Sequence, residues 1–378
     1  MKLGHSFTLA CAATTAALVF AAPVARAQEV VIGVPMALTG PYAFVGVPIR
    51  NGIVMGLEEA QASGMLGSLK LKLVQEDTAS EKAQAISLTS RMAVRDKALL
   101  IMGPTSSIEG TAAAPVANDL QVPLFSSAVS PDVTKAGKWS FKVTASPAVI
   151  MGALGDYVVA KIKPKTAVMV FVRDNDGFIG QKNVIRDSLK AAGVTILSEE
   201  SVASGDSDFT ALATKLVAAK PDLVYFSIGA EAGAALIIQA KQAGLPATTR
   251  LIGPPGMASQ QFMKVGGSAV EGTILVADYF GGGTSDLNRR FQAAYEKKYG
   301  SKPDNWAAVG YSMALVASAA LKDAGPNPDR AKVRDALERS KDVPVLLGAG
   351  KWNLDAGRNP SYGAAVIMVK GGTFVLAE

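Results

Sequence analysis

The chain has 378 residues, 38 Lys and Arg against 32 Asp and Glu, a formal charge of +6, one His and one Cys. The basic residues are scattered with no run of five, which excludes a nucleic-acid footprint. Such a length supports a large hydrophobic core divided over two domains.

Taken in chain order, the first segment is a leader. Lys2 and His5 open it, Phe7 to Ala22 is mostly apolar, and Ala25-Arg26-Ala27 supplies a small-x-small cleavage pattern. This is the layout of a secretory signal peptide over residues 1–27, too short and too rich in Ala and Thr for the ~20 apolar residues of a membrane span. Lipid attachment at Cys11 is disfavoured, because Thr8 stands where such a motif wants Leu. Cleavage removes His5 and Cys11, the only His and Cys, and takes the charge from +6 to +4 with the loss of Lys2 and Arg26. A mature chain from Gln28 therefore has no means for a Ser-His-Asp or Cys-His mechanism, an imidazole or thiolate metal site, or a disulfide. No later stretch has 18 unbroken apolar residues, so a soluble mature protein is expected.

Strand-like and helix-like segments then alternate. Glu29–Pro35, Leu69–Glu76, Leu99–Met102 and Val122–Phe125 read as strands, separated by helices over Val45–Ser63, Lys82–Arg95 and Ile108–Leu120. After Thr144–Pro147 the alternation resumes with strands at Thr166–Val172, Val194–Glu199, Leu223–Ser227 and Arg250–Ile252 and helices at Gln181–Ala192, Phe209–Ala219 and Ala232–Ala243. Continuous Val/Ile/Leu strands with crossover helices predict α/β lobes built on parallel sheets. Helices over Leu287–Tyr299 and Asn305–Ala324, the polar stretch GPNPDR and late strands near Gly350–Asn353, Ala364–Val369 and Thr373–Leu376 suggest a return to the first lobe before the end.

Nucleotide and hydrolase motifs are missing: G-x-x-x-x-G-K-[ST], G-x-G-x-x-G and G-x-S-x-G do not occur, and no cofactor is expected. An enzyme is not predicted: only carboxylate or Lys chemistry would be left to it, and no close pair stands out beyond Asp174/Asp176, which read as turn residues. Binding remains. In open parallel sheets ligands lie beyond the carboxyl ends of the strands. The segments there include LTGPYAFVG (38–46), GPTSSIEG (103–110), PLFSSAVS (123–130), RDNDGFIG (173–180), SIGAEAG (227–233) and IGPPGMAS (252–259). Ser106-Ser107 and Ser126-Ser127 offer hydroxyl and N–H donors to a carboxylate, a simple helix cap being the plainer role of one of them. Tyr42 and Phe44, flanked by glycines and a proline, stand on a loop as aromatic walls or as core residues.

The runs VVIGVPMALTGPYAFVG, IMGPTSSIEGTAAAPVANDLQVPLFSS, TAVMVFVRDNDGFIGQ and PDLVYFSIGAEAGAALIIQAKQAGL resemble the type I periplasmic binding proteins of branched-chain amino-acid ABC transporters, across essentially the whole mature chain. The resemblance implies two Rossmann-like lobes joined by three crossover strands near 144–147, 276–280 and 355–357. Lobe 1 would take 28–145 plus 280–356, and lobe 2 would take 146–279 plus 357–378. It also implies a periplasmic, monomeric solute-binding protein that serves an inner-membrane permease. The ligand's carboxylate would be held by Ser106 or Ser107, in a register uncertain by one, together with Ser127, Ala128 and Val129, the last standing where amino-acid binders often have Thr. Phe178 would be the second lobe's aromatic. Two departures concern the ammonium: Gly229 stands where the family has Tyr, and Pro255 where Gly-Pro-Glu-Gly has its ammonium-binding Glu.

A buried ammonium without a carboxylate is costly, and Pro255 offers only a carbonyl and an apolar ring. The expected ligand is thus a small carboxylate lacking an α-ammonium, most plausibly an aromatic acid, against Tyr42, Phe44, Phe178 and Pro255. Glu231 and Asp174 keep open an amino-acid or amide ligand. A ligand-sensing regulator of the same fold is the remaining alternative, and the leader argues against it.

Overall fold

The computed structural model describes Met1 and residues 29–377, so the expected signal segment, with His5 and Cys11, falls in residues that lie outside the described set. The first sheet is parallel throughout and comprises β1 (Glu29–Met36), β2 (Lys70–Asp77), β3 (Leu100–Met102), β4 (Leu124–Ser126) and β5 (Ser140–Lys142), in the order β2-β1-β3-β4-β5. The second begins with β6 (Thr166–Val172), β7 (Thr195–Val202), β8 (Leu223–Ser227), β9 (Arg250–Gly253) and β10 (Ile274–Ala277), which pair in parallel. A small antiparallel sheet follows, of β11 (Val343–Pro344), β12 (Lys351–Leu354) and β13 (Pro360–Ser361). The last strands, β14 (Ala365–Lys370) and β15 (Thr373–Leu376), return to the second sheet antiparallel, giving the order β15-β14-β10-β9-β8-β6-β7. Strands β3, β4, β8 and β10 are buried at every residue, as strands covered by helices on both faces must be.

The late helices go back to the first sheet. Tyr311, on the helix Asn305–Asp323, donates its hydroxyl to Glu59 on the helix Ala43–Ala62 at 2.6 Å. Arg330 donates to the carbonyls of Ala93, Ala98 and Leu120, capping the far ends of the first-sheet helices with its fork.

Several elements differ from the sequence expectation. Strand β5 carries Lys142 in a three-residue run, so it lacks an apolar signature. The helix Pro147–Tyr157 runs into a π-turn at Val158–Ile162, and its apolar composition hides the helical period. The helix Arg330–Arg339 lies just beyond the polar GPNPDR stretch, started by Asp329, whose side chain accepts from Lys332 N at 2.8 Å. Likewise, the helix expected at Gln181 begins at Asp176, because Asn175 Oδ1 accepts from Gly177 N at 2.9 Å.

The chain passes between the large sheets three times: after β5, after β10, and between β13 and β14. The third passage lies at 362–364 rather than 355–357, because Asp355–Asn359 is a tight return, closed by Asp355 N donating to Asn359 O at 3.0 Å, that leads into β13. One side chain joins all three. The Tyr362 hydroxyl, on the third passage, accepts from Ala145 N on the first at 2.8 Å and donates to the Asp278 carboxylate on the second. Both Tyr362 and Asp278 are buried, and burial pushes both pKa values up. Removing the hydroxyl leaves Ala145 N unpaired and Asp278 with one weaker partner, Asn305 at 3.4 Å. Tyr362→Phe is expected to lower stability in denaturant titration by about 2 kcal/mol. An unchanged midpoint would show that the bond contributes nothing net.

Candidate functional site

At the carboxyl ends of the strands, four loops converge. Beyond β3 the chain turns through a cis Gly103-Pro104 peptide into the helix Ser107–Asp119, whose N-cap is Ser106. Ser106 Oγ accepts from Glu109 N at 3.3 Å, and the Glu109 carboxylate accepts from Ser106 N at 2.9 Å, forming a reciprocal capping box. Glu109 also accepts from Thr78 Oγ1, and burial raises its pKa. The S-x-x-E spacing in the sequence matches this box, and the cap engages the Ser106 side chain rather than that of Ser107.

The loop after β4 lies against this turn. Ser126 Oγ donates to Pro104 O at 2.9 Å and Ser127 Oγ donates to Thr105 O at 3.0 Å. These two hydroxyls, expected to face a ligand, thus lock the loops to each other. Ser107 differs. Its Oγ accepts from Ser130 N at 3.2 Å and donates to nothing among the described residues, so its proton is available. The N–H groups of the first helical turn have no carbonyl within the helix and add to the same positive end.

Between the lobes lies a cavity of about 50 Å³, lined on the first side by Tyr42, Phe44, Ser106, Ser107, Ser127, Ala128 and Val129, and on the second by Phe178, all expected from the sequence. Thr105, Asn175, Gln181, Gly256 and Trp306 line it too and were not foreseen. Trp306, in the first turn of Asn305–Asp323, reads in sequence as a core aromatic and gives no signal of its own. Among the described residues, no Asp, Glu, Lys or Arg lines this cavity.

Four expected residues lie elsewhere. Pro255 is buried at the start of a 3-10 turn, and its neighbour Gly256 reaches the cavity instead. Gly229 and Glu231 border an adjoining outer cleft of about 600 Å³, where Glu231 is exposed and accepts from Gln261 Nε2 at 2.8 Å. Asp174 is exposed as well and accepts from Ser204 N and Oγ, the latter at 2.8 Å.

The lobes meet closely around the cavity. Asn175 Nδ2 donates to the Tyr42 hydroxyl at 2.8 Å, and that hydroxyl lies 2.9 Å from Ser204 Oγ, whose proton goes to Asp174. Burial raises the Tyr42 pKa, keeping it a neutral donor. Two glycines permit the approach. A Cβ at Gly177 would come within 2.5 Å of Ser107 Oγ, and one at Gly229 within 3.0 Å of Phe44 Cζ. Phe44 therefore takes up space above Gly229 and separates the inner cavity from the outer cleft.

A family model described as periplasmic binding protein matches residues 29–373. The chain belongs to that family. Its members are substrate-binding proteins rather than enzymes. The chain is 27% identical over 368 residues to a Leu/Ile/Val-binding protein, BraC3, of Rhizobium johnstonii, covering 97% of this chain and 98% of that one. Among solved structures it resembles the branched-chain amino-acid binding protein LivJ of Streptococcus pneumoniae in complex with isoleucine, with a TM-score of 0.84 and 24% identity over 92% of this chain and 98% of that one. A solute-binding protein of R. palustris in complex with benzoate superposes equally, with a TM-score of 0.84 and 22% identity over 92% and 95%. These likenesses establish the α/β type I fold, two lobes with parallel sheets joined by three crossovers.

The different commitments of the two serines give separable outcomes. Ser106→Ala removes a cap and is expected to lower stability by about 1 kcal/mol in thermal melts. Ser107→Ala leaves Ser130 N unpaired, so it too is expected to lower stability by about 1 kcal/mol, but it alone is expected to weaken calorimetric binding of an anionic ligand about tenfold or more. Equal affinity of Ser107→Ala and the native protein would remove Ser107 from the site.

Proposed function

We propose that the protein is an extracytoplasmic solute-binding protein that captures a small carboxylate, an aromatic acid lacking an α-ammonium, between its lobes and delivers it to an ABC-transporter permease. The observation that carries this reading is the cavity's lining among the described residues: it includes Ser107, whose proton is free, and no Asp or Glu to meet an ammonium. An ammonium buried there would forfeit several kcal/mol of solvation without a partner. A neutral ring requires only apolar walls, which Tyr42, Phe44, Val129, Phe178 and Trp306 offer.

The benzoate complex of a structural neighbour supports such a ligand in this fold. The cavity of about 50 Å³ is smaller than a six-membered ring needs, so entry couples to parting of the lobes and to Phe44 turning toward the outer cleft. On this reading lobe 1 comprises 28–145 with 280–356, lobe 2 comprises 146–279 with the C-terminal strands, and the protein acts as a periplasmic monomer. Closure follows from the ligand's greater affinity for the closed state, which the permease then recognises.

The name of the Leu/Ile/Val-binding relative supports a second reading, an amino acid whose ammonium reaches Glu231 across the outer cleft. A thermal-shift panel separates the two. A ligand at 100 times its dissociation constant stabilises by about 2.7 kcal/mol, a shift of a few degrees. Benzoate, phenylpropenoates and aryl-keto acids are expected to raise the melting temperature, while leucine, isoleucine and valine leave it unmoved. The reverse pattern would overturn the aromatic-acid reading.

A further inference from the structure

Lys142 is fully buried at the end of β5, and among the described residues its ammonium makes one hydrogen bond, to Val129 O at 3.0 Å. The same peptide unit carries Ser130 N, which donates to Ser107 Oγ at 3.2 Å. Ser107 lines the cavity and keeps its own proton to donate. The bonds thus run in one direction: ammonium to carbonyl, across the peptide to the N–H, to the serine hydroxyl, to the ligand. Each donor in such a chain is polarised by the one behind it, and the low dielectric of the interior strengthens the effect.

Resting on the carboxylate reading above, we infer that Lys142 is the electrostatic partner of the bound carboxylate, a positioning residue that acts through the Val129–Ser130 peptide and Ser107 without touching the ligand. This accounts for two facts together: an anion site with no cationic side chain in its lining, and a buried ammonium whose one hydrogen bond among the described residues goes to the loop that lines that site.

The groups facing Lys142 from neighbouring elements are Asp278, after β10, and Asp355, after β12, with Tyr362 bound to Asp278 and Arg358 over the Phe141 ring. Burial lowers the Lys142 pKa to about 8, opposed by the two aspartates. The unliganded ammonium therefore loses its proton as pH rises through about 8, whereas a bound anion favours keeping it. By linkage, affinity for an anion falls over that range. Asp355 is held below the usual carboxylate range by bonds from the 357–359 turn and stays ionised, and burial raises the Tyr362 phenol out of the range.

The test is calorimetric titration of the full chain with benzoate, an anion throughout, from pH 6 to about pH 10. Native affinity is expected to be level to about pH 7 and to fall about tenfold in all above it. Lys142→Met is expected to bind about tenfold more weakly at pH 7 and to show a level profile. A fall driven by Asp278, whose carboxyl burial pushes upward, would persist in Lys142→Met. In Ser107→Ala the further loss on adding Lys142→Met is expected to be small, since the two lie on one path. Lys142→Gln serves should the Met variant not fold. Native affinity retained in Lys142→Met or Lys142→Gln, or a pH profile the substitution does not alter, overturns the inference. A native protein that binds no carboxylate of the panel overturns the underlying ligand reading, and this appears before any variant is made.

Discussion

Two lobes that must move against each other yet end in one register need a fixed point where the chain crosses between them. The Tyr362 hydroxyl supplies it, taking a proton from the first crossover and giving one to the carboxylate on the second. Around it, Trp352 Nε1 donates to Val143 O at 3.0 Å and Gly348 N to Asp278 O at 2.8 Å, so the small sheet β11–β13 is fastened to the same point. Away from this cluster the lobes meet again across the cleft. Across the cleft the contacts include Tyr42 with Asn175 and Ser204, Phe44 over Gly229, and Ser107 and Val129 against Gly177.

The hinge and the anion site are continuous. Thr144, on the first crossover, donates to Ala128 O at 2.6 Å, and Lys142, one strand-end away, donates to Val129 O. The loop that presents Ala128 and Val129 to the cavity is therefore set by the crossover itself. The Lys142 charge thus lies behind the cavity wall and the free Ser107 proton at its face, in keeping with the proposed anionic ligand. The opposite wall carries Phe178 beside the neutral amides of Asn175 and Gln181 and, among the described residues, no carboxylate.

The fold was largely legible, because strands such as TAVMVFV and LVYFS are uninterrupted apolar runs that fit only a sheet covered on both sides. What escaped was whatever owed its structure to a polar residue. Strand β5 holds a Lys whose burial depends on the Val129 carbonyl and two distant aspartates, and nothing local announces it. The helix Arg330–Arg339 is begun by Asp329, a cap easily taken for part of a loop. At the site, the first lobe's residues were readable as a group. The capping spacing Ser106–Glu109 could have separated Ser106 from Ser107, whereas Asn175, Gln181 and Trp306 reach the cavity only through tertiary packing. Pro255 carries its meaning by what it is not: it faces the core, and Gly256 takes the place at the cavity.

The central claim is that the site grips one end of its ligand, a carboxylate, and offers nothing charged to the other. A crystal structure of protein purified without unfolding, with its native ligand retained in the cleft, tests this most directly. The account predicts a carboxylate oxygen within hydrogen-bonding distance of Ser107 Oγ and an apolar body between Phe44, Phe178 and Trp306. A ligand whose ammonium is bound by Glu231 or Asp174 would contradict it.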